Sequence, residues 1–201
     1  MYDTHFLYVQ IYPRGFRPWA ASKAKFWSQD MLRNKKWFNV PNMKPTPSNF
    51  FGPTGPADKS GLARDFRYQR CLTAVREHYP KVLPEATANM FNMIWTDERD
   101  ADGNVQITEA RLCTVLERSG LSHPEASTLV SEHLASDANK ARLKDMCAEA
   151  LAEGVFGAPT FCVDGQIWFG SDRLEQMCHH LALPYSGPDP NRPTVDGSSK
   201  L

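Results

Sequence analysis

Residues 154–181, GVFGAPTFCVDGQIWFGSDRLEQMCHHL, constrain the fold more than any other stretch of this chain. They read as loop, strand, tight turn, strand and helix. Thr160 to Val163 is short, apolar and partly β-branched, which predicts a buried strand. Asp164-Gly165 predicts a two-residue hairpin turn, because a type I′ turn needs positive φ at both central positions. Gln166 to Phe169 is the returning strand. Gly170 breaks it, and Ser171 is placed to cap a helix by accepting a bond from a free backbone N–H. Leu174, Met177, Cys178 and Leu181 then share one helical face, and Pro184 stops the helix.

Two details separate this unit from an ordinary hairpin and helix. Ala158-Pro159 precedes the first strand, where a cis peptide bond would hold a backbone edge out for a ligand. The plainer reading is a trans proline at a strand start. Ser171-Asp172-Arg173 follows a glycine at the expected helix start, where free N–H groups and the helix dipole favour an anion. The plainer reading is Ser171 as an N-cap and nothing more. Joined by a hairpin, the proline-presented edge and the anion cradle look like the second half of a thioredoxin-type site for a peptide thiol.

The run GVFGAPTFCVDG followed by FGSDRL resembles the C-terminal signature of kappa-class glutathione transferases. That class lies in the DsbA-like branch of the thioredoxin superfamily, with the 2-hydroxychromene-2-carboxylate isomerases as close relatives. The likeness continues more sparsely upstream, in Lys23 to Asp30, in Cys71 to Val75 and at Ile107-Thr108. It spans Lys23 to Leu183 and is densest in the final third. The resemblance implies an α/β, thioredoxin-like (DsbA-like) fold carrying a large all-helical insertion. Residues 1–17 would be a remnant of the N-terminal thioredoxin half, 18–153 the helical insertion, 154–183 the C-terminal ββα unit and 184–201 a flexible tail.

It also implies glutathione as a substrate, a small electrophile as its partner, and a homodimer. Ala158 would offer backbone bonds to the cysteinyl unit of glutathione, with Pro159 fixing the edge. Ser171 and Asp172 would contact the γ-glutamyl end, and Arg173 would orient Asp172 or its loop. Conjugation also requires the thiol to be held as thiolate, which is the nucleophile. The family does this with the first serine of a Ser-Pro-Tyr-Ser type motif after its first strand. No such motif occurs in these 201 residues, so no catalytic residue is assigned. The expectation is that the first strand and helix are missing. This fits a truncated chain without catalysis, or a chain whose motif lies further upstream.

Charge and cysteine usage narrow the function classes. Lys and Arg number 23, as do Asp and Glu, so the net charge is zero, which gives no footprint for nucleic acid or an anionic membrane. No apolar run approaches the length of a membrane span. Cys71, Cys113, Cys147, Cys162 and Cys178 form no C-x-x-C pair and no zinc spacing, so neither disulfide exchange nor a metal site is expected. Their scatter reads as reduced core thiols, Cys162 among them.

The rest of the chain reads simply. His5 to Tyr12 is a strand candidate with a turn at Pro13-Arg14-Gly15. Pro18 to Phe38 predicts a helix, and Val40 to Pro56 an irregular connection. Helices follow over Leu62–Tyr79, Leu83–Trp95, Thr108–Ser119 with Gly120 beyond its end, a run opened by a Ser122–Glu125 capping box, and Asn139–Ala152. Met90, Met93 and Trp95 are core candidates. His179-His180 reads as a solvated helix end, since adjacent residues do not share a helix face.

The chain ends Ser199-Lys200-Leu201, the tripeptide read by the peroxisomal import receptor. A peroxisomal location is therefore expected, with mitochondrion or cytoplasm as alternatives. The leading reading is a kappa-class glutathione transferase that conjugates glutathione to electrophiles, with peroxide reduction as a second reaction. The alternatives are a hydroxychromene-carboxylate-type isomerase and a catalytically impaired glutathione-binding or dimerisation protein.

Overall fold

The computed structural model describes residues 21–52 and 60–187. The strand expected at His5–Tyr12, its turn, the tail beyond 187 and the terminal Ser199-Lys200-Leu201 lie outside the described residues. The described residues divide into two compact units, one holding residues 43–52 and 60–156 and the other residues 21–42 and 157–187. Helix α1 (Ala21–Trp37) thus belongs with the C-terminal hairpin and not with the other long helices.

The first unit is helical. It contains α2 (Arg67–His78), α3 (Leu83–Trp95), α4 (Glu109–Arg118), α5 (His123–Thr128) and α6 (Asp137–Ala152). Helix α2 packs on α3 and α6, and α4 packs on α3 and α5. The core is aliphatic and sulfur-rich. Cys71, Val75, Met93, Leu112, Leu116 and Leu129 are almost wholly removed from water. Met90 and Met93 fill it as expected, and Trp95 packs at its edge with its ring 5.4 Å from Phe50. Burying such side chains is worth about 1.5–3 kcal/mol each, before entropy is set against it.

Local chemistry explains where these helices begin and end. Thr108 accepts a bond from the N–H of Arg111, and Ser136 does the same for Asn139. The Glu125 carboxylate takes bonds from the Ser122 N–H at 2.8 Å and the Ser122 hydroxyl at 2.6 Å. These bonds hold its pKa below the usual carboxylate range. Gly120 sits past the end of α4 at φ +105°, a conformation in which a Cβ would be strained.

Two helices differ from expectation. The segment from Leu62 is not one helix but a 3-10 turn, Leu62–Arg64, followed by α2. Asp65 is extended between them, and its carboxylate takes the Arg67 N–H at 3.0 Å and the Arg67 guanidinium at 2.9 Å. A short acidic side chain that bonds nearby backbone competes with helix continuation. After α5 the chain widens into a π turn, Leu129–His133, with the Leu134 N–H bonded to the Leu129 carbonyl at 3.0 Å. The extra residue keeps Leu129, Val130 and Leu134 buried together.

The second unit holds α1, the hairpin β1 (Thr160–Val163) and β2 (Gln166–Phe169), and α7 (Leu174–His180). The strands are antiparallel, with Thr160 opposite Phe169 and Val163 opposite Gln166. Asp164 at φ +50° and Gly165 at φ +72° make the expected turn. Among the described residues the sheet has these two strands only.

Candidate functional site

The two predicted ends of the site are joined by the hairpin. Thr160 pairs with Phe169, so Pro159 and Gly170 follow as the next opposed pair. The Gly170 N–H donates to the Pro159 carbonyl at 2.9 Å and extends the ladder by one bond. The Thr160 hydroxyl turns back and donates to the Gly157 carbonyl at 2.7 Å. The Ala158–Pro159 peptide bond is cis, as expected. Ala158 and Pro159 are exposed, and the backbone of Ala158 meets no backbone partner among the described residues. A free donor and acceptor on an exposed strand edge is what an extended peptide needs for docking.

The other end is a tight turn. Gly170 stands at φ +99° and ψ +148°, a region closed to residues with a Cβ. The Asp172 carboxylate folds back over it, so a Cβ at Gly170 would collide with Asp172 Oδ1. Arg173 donates to Asp172 Oδ2 at 2.9 Å, which holds the carboxylate in that position. Ser171, Asp172 and Arg173 are all exposed. An exposed ion pair of this kind adds little to stability.

Three expectations are corrected here. Ser171 does not cap a helix. Residues Ser171–Arg173 form a 3-10 turn, and α7 begins at Leu174 without a side-chain cap. The positive φ of Gly170 opens this turn three residues before α7 begins. Strand β1 is not buried: Thr160, Phe161 and Val163 are half-buried and Cys162 is exposed. Cys162 is therefore not a core residue. With two strands among the described residues, nothing described covers the face that carries it. Leu174, Met177, Cys178 and Leu181 do share a half-buried face, while His179 and His180 are exposed, the ring of His180 lying 5.5 Å from Trp168.

One residue escaped sequence reasoning. The indole Nε1 of Trp168 is buried and has no hydrogen-bond partner among the described residues. Tryptophan at a β2 position opposite Phe161 gave no sign of this, because donor satisfaction depends on the surroundings and not on the residue type.

The thiols differ sharply in environment. Burial pushes the Cys71 thiol up to about 12, and also raises that of Cys113. Cys147 is buried as well, whereas Cys162 is exposed. Titration of the native protein with a disulfide reagent is expected to label Cys162 first, with Cys71 and Cys147 modified only on unfolding. Mass spectrometry of the labelled peptides reads the order, and early labelling of Cys71 would contradict the packing described above.

An exposed edge beside a cis-proline, a hairpin and a turn bonded across it are brought together at one end of this unit. A DSBA-like thioredoxin domain matches residues 47–182, and the chain belongs to that family. Its α/β, thioredoxin-like fold class follows from that membership. Within the family the likeness is to the kappa class, as the sequence resemblance implied. The chain is 30% identical over 167 residues to glutathione S-transferase kappa 1 of Rattus norvegicus, covering 81% of this chain and 66% of that protein. It is 34% identical over 126 residues to glutathione S-transferase kappa 1 of Homo sapiens, covering 60% of this chain and 53% of that protein. The aligned chain thus spans between half and two thirds of the relatives it matches.

Among the described residues there is no group of three or more metal-ligating side chains. No described helix is long and apolar enough to cross a membrane.

Proposed function

We propose that this chain docks glutathione along the Ala158–Pro159 edge and the Ser171–Arg173 turn, and that the protein is a kappa-class glutathione transferase. The observation that carries the reading is the Gly170 N–H to Pro159 carbonyl bond, which ties the peptide edge to the turn. Ala158 can pair its backbone N–H and carbonyl with the cysteinyl unit of an extended tripeptide. The γ-glutamyl end of glutathione carries an ammonium and a carboxylate. Asp172, held by Arg173, suits the ammonium, while the Ser171 hydroxyl and the Arg173 guanidinium suit the carboxylate.

The reaction is attack of the glutathione thiolate on an electrophilic carbon. A sulfur–carbon bond forms and the leaving group departs with its electron pair. Peroxide reduction by the same thiolate is a second reaction open to this class. The residues of this chain orient the peptide. The group that stabilises the thiolate is not assigned to any of them. The other reading is a chain that binds glutathione without turning it over.

Calorimetry with glutathione and a conjugation assay on the same preparation separate these readings. Binding with turnover supports the transferase. Binding alone supports the impaired reading, and no binding removes both. Asp172→Ala is expected to weaken glutathione binding about tenfold, the loss of one charged hydrogen bond, without lowering the melting temperature. Unchanged affinity would take Asp172 out of the site.

Where Leu201 is a free terminus, Ser199-Lys200-Leu201 suits the peroxisomal import receptor, and a peroxisomal location is part of this proposal. Deleting Leu201 is expected to leave a fluorescent fusion in the cytosol. Continued import would refute it.

A further inference from the structure

The helical unit contains a polar group that its own packing does not explain. Gln69 lies on α2, one turn before Thr73 and two before Arg76. It is 8% exposed, yet its side-chain Oε1 is buried with no hydrogen-bond partner among the described residues. A buried amide oxygen left unpaired is costly, and native proteins rarely keep one. The neighbouring polar groups are already engaged. The Thr73 hydroxyl donates to the Gln69 backbone carbonyl at 2.9 Å, and the Thr87 hydroxyl to the Leu83 carbonyl at 2.8 Å.

Gln69 lines a narrow slot of about 40 Å³ between α2, the start of α3 and α6, with Leu72, Leu83, Thr87 and Met146 as its other walls. That volume admits a planar head of about three heavy atoms, or a similar number of waters. Arg76 and Met146 form the rim that the slot shares with a wider cavity of about 510 Å³ along α2 and α6. This vestibule suits a stem or tail, which can lie against the Arg76 methylenes and the Met146 side chain.

The chemistry of the walls selects the head. The vestibule sets Arg76 and Arg142 against Glu77, Asp145 and Glu149, and Arg142 is already paired with Glu77 at 2.5 Å. Two arginines against three carboxylates give no attraction for an anion. A charged head would also lose its hydration against Leu72 and Leu83. A neutral group that both donates and accepts answers a glutamine amide best, since it can give an N–H to Oε1 and take one from Nε2. We propose that the slot at Gln69 is a second small-molecule site, distinct from the hairpin site, that takes a neutral primary amide on a short apolar stem. It rests on nothing in the glutathione reading and stands or falls separately.

Titration of the full chain with butyramide, followed by 1H–15N and methyl NMR, tests this. Saturable shifts of the Gln69 side-chain NH2 and the Met146 methyl are expected, with butanone, which lacks the donor, binding about tenfold more weakly. Gln69→Leu removes the amide. Thr87→Met fills the slot from its half-buried edge and leaves Gln69 in place. Both are expected to abolish the butyramide shifts, and Gln69→Leu to raise the melting temperature by removing the unpaired oxygen. Should Gln69→Leu not fold, Thr87→Met and the butanone comparison carry the test. The proposal is overturned if butyramide gives no saturable shift, which would mean that Gln69 is met by water alone. It is equally overturned if the shifts survive in either variant, or if butanone binds as well as butyramide.

Discussion

Gly170→Ala is expected to reduce glutathione affinity by about tenfold or more while leaving the helical unit intact. Two effects combine. At φ +99° an alanine is strained by about 1–2 kcal/mol, and its Cβ would collide with Asp172 Oδ1. Relief comes either from turning the Gly170 backbone, which breaks its bond to the Pro159 carbonyl, or from swinging Asp172 away from Arg173. Either route separates the two ends of the proposed site. Gly165→Ala is the matched control. Its φ is also positive, at +72°, but nothing lies within 4 Å of the added Cβ. It is expected to cost hairpin stability with a much smaller change in affinity. Calorimetry on both variants decides the matter: equal losses would show that the Asp172 position is irrelevant to binding.

Leu112→Ala carries the largest stability effect expected of any single change considered. Leu112 is wholly buried on α4, among the core side chains of the helical unit. Removing three heavy atoms loses their transfer energy and leaves a cavity, at about 3 kcal/mol within a usual range of 2–5. For a chain of this length that is roughly a 6–12 °C fall in melting temperature. Leu174→Ala, on the half-buried face of α7, is expected to cost about 1 kcal/mol. Thermal denaturation followed by circular dichroism measures both. Similar shifts for the two would mean that the helical unit does not hold the main core.

These two substitutions also mark how far the residues could be read. Leu112 repeats with Val115 and Leu116 at helical spacing, the pattern of a single buried helix face. The Asp164-Gly165 turn, the Ser122–Glu125 capping box and the bounds of α3 were equally legible, because each depends on residues within one or two turns of chain. The resemblance carried by Ala158, Pro159 and Ser171–Arg173 was legible too, and the family match agrees with it. The strain that makes Gly170 sensitive was not. It arises where Asp172 folds back over a glycine whose N–H is already committed to Pro159 across the hairpin.

The sequence by itself determined the position of most helices, the Ser122–Glu125 capping box and the hairpin turn, since these are set by local hydrogen bonding and by the spacing of apolar side chains, and its resemblance carried the family. Only the tertiary structure decided that Cys162 is exposed, that Ser171 opens a 3-10 turn instead of capping a helix, and that the side-chain Oε1 of Gln69 is buried with no partner among the described residues. The reason is that exposure and hydrogen-bond satisfaction are properties of what surrounds a residue. Surroundings are assembled from segments far apart in the chain, as where Met146 of α6 lies beside Gln69 of α2, 77 positions (146 − 69) earlier in the chain.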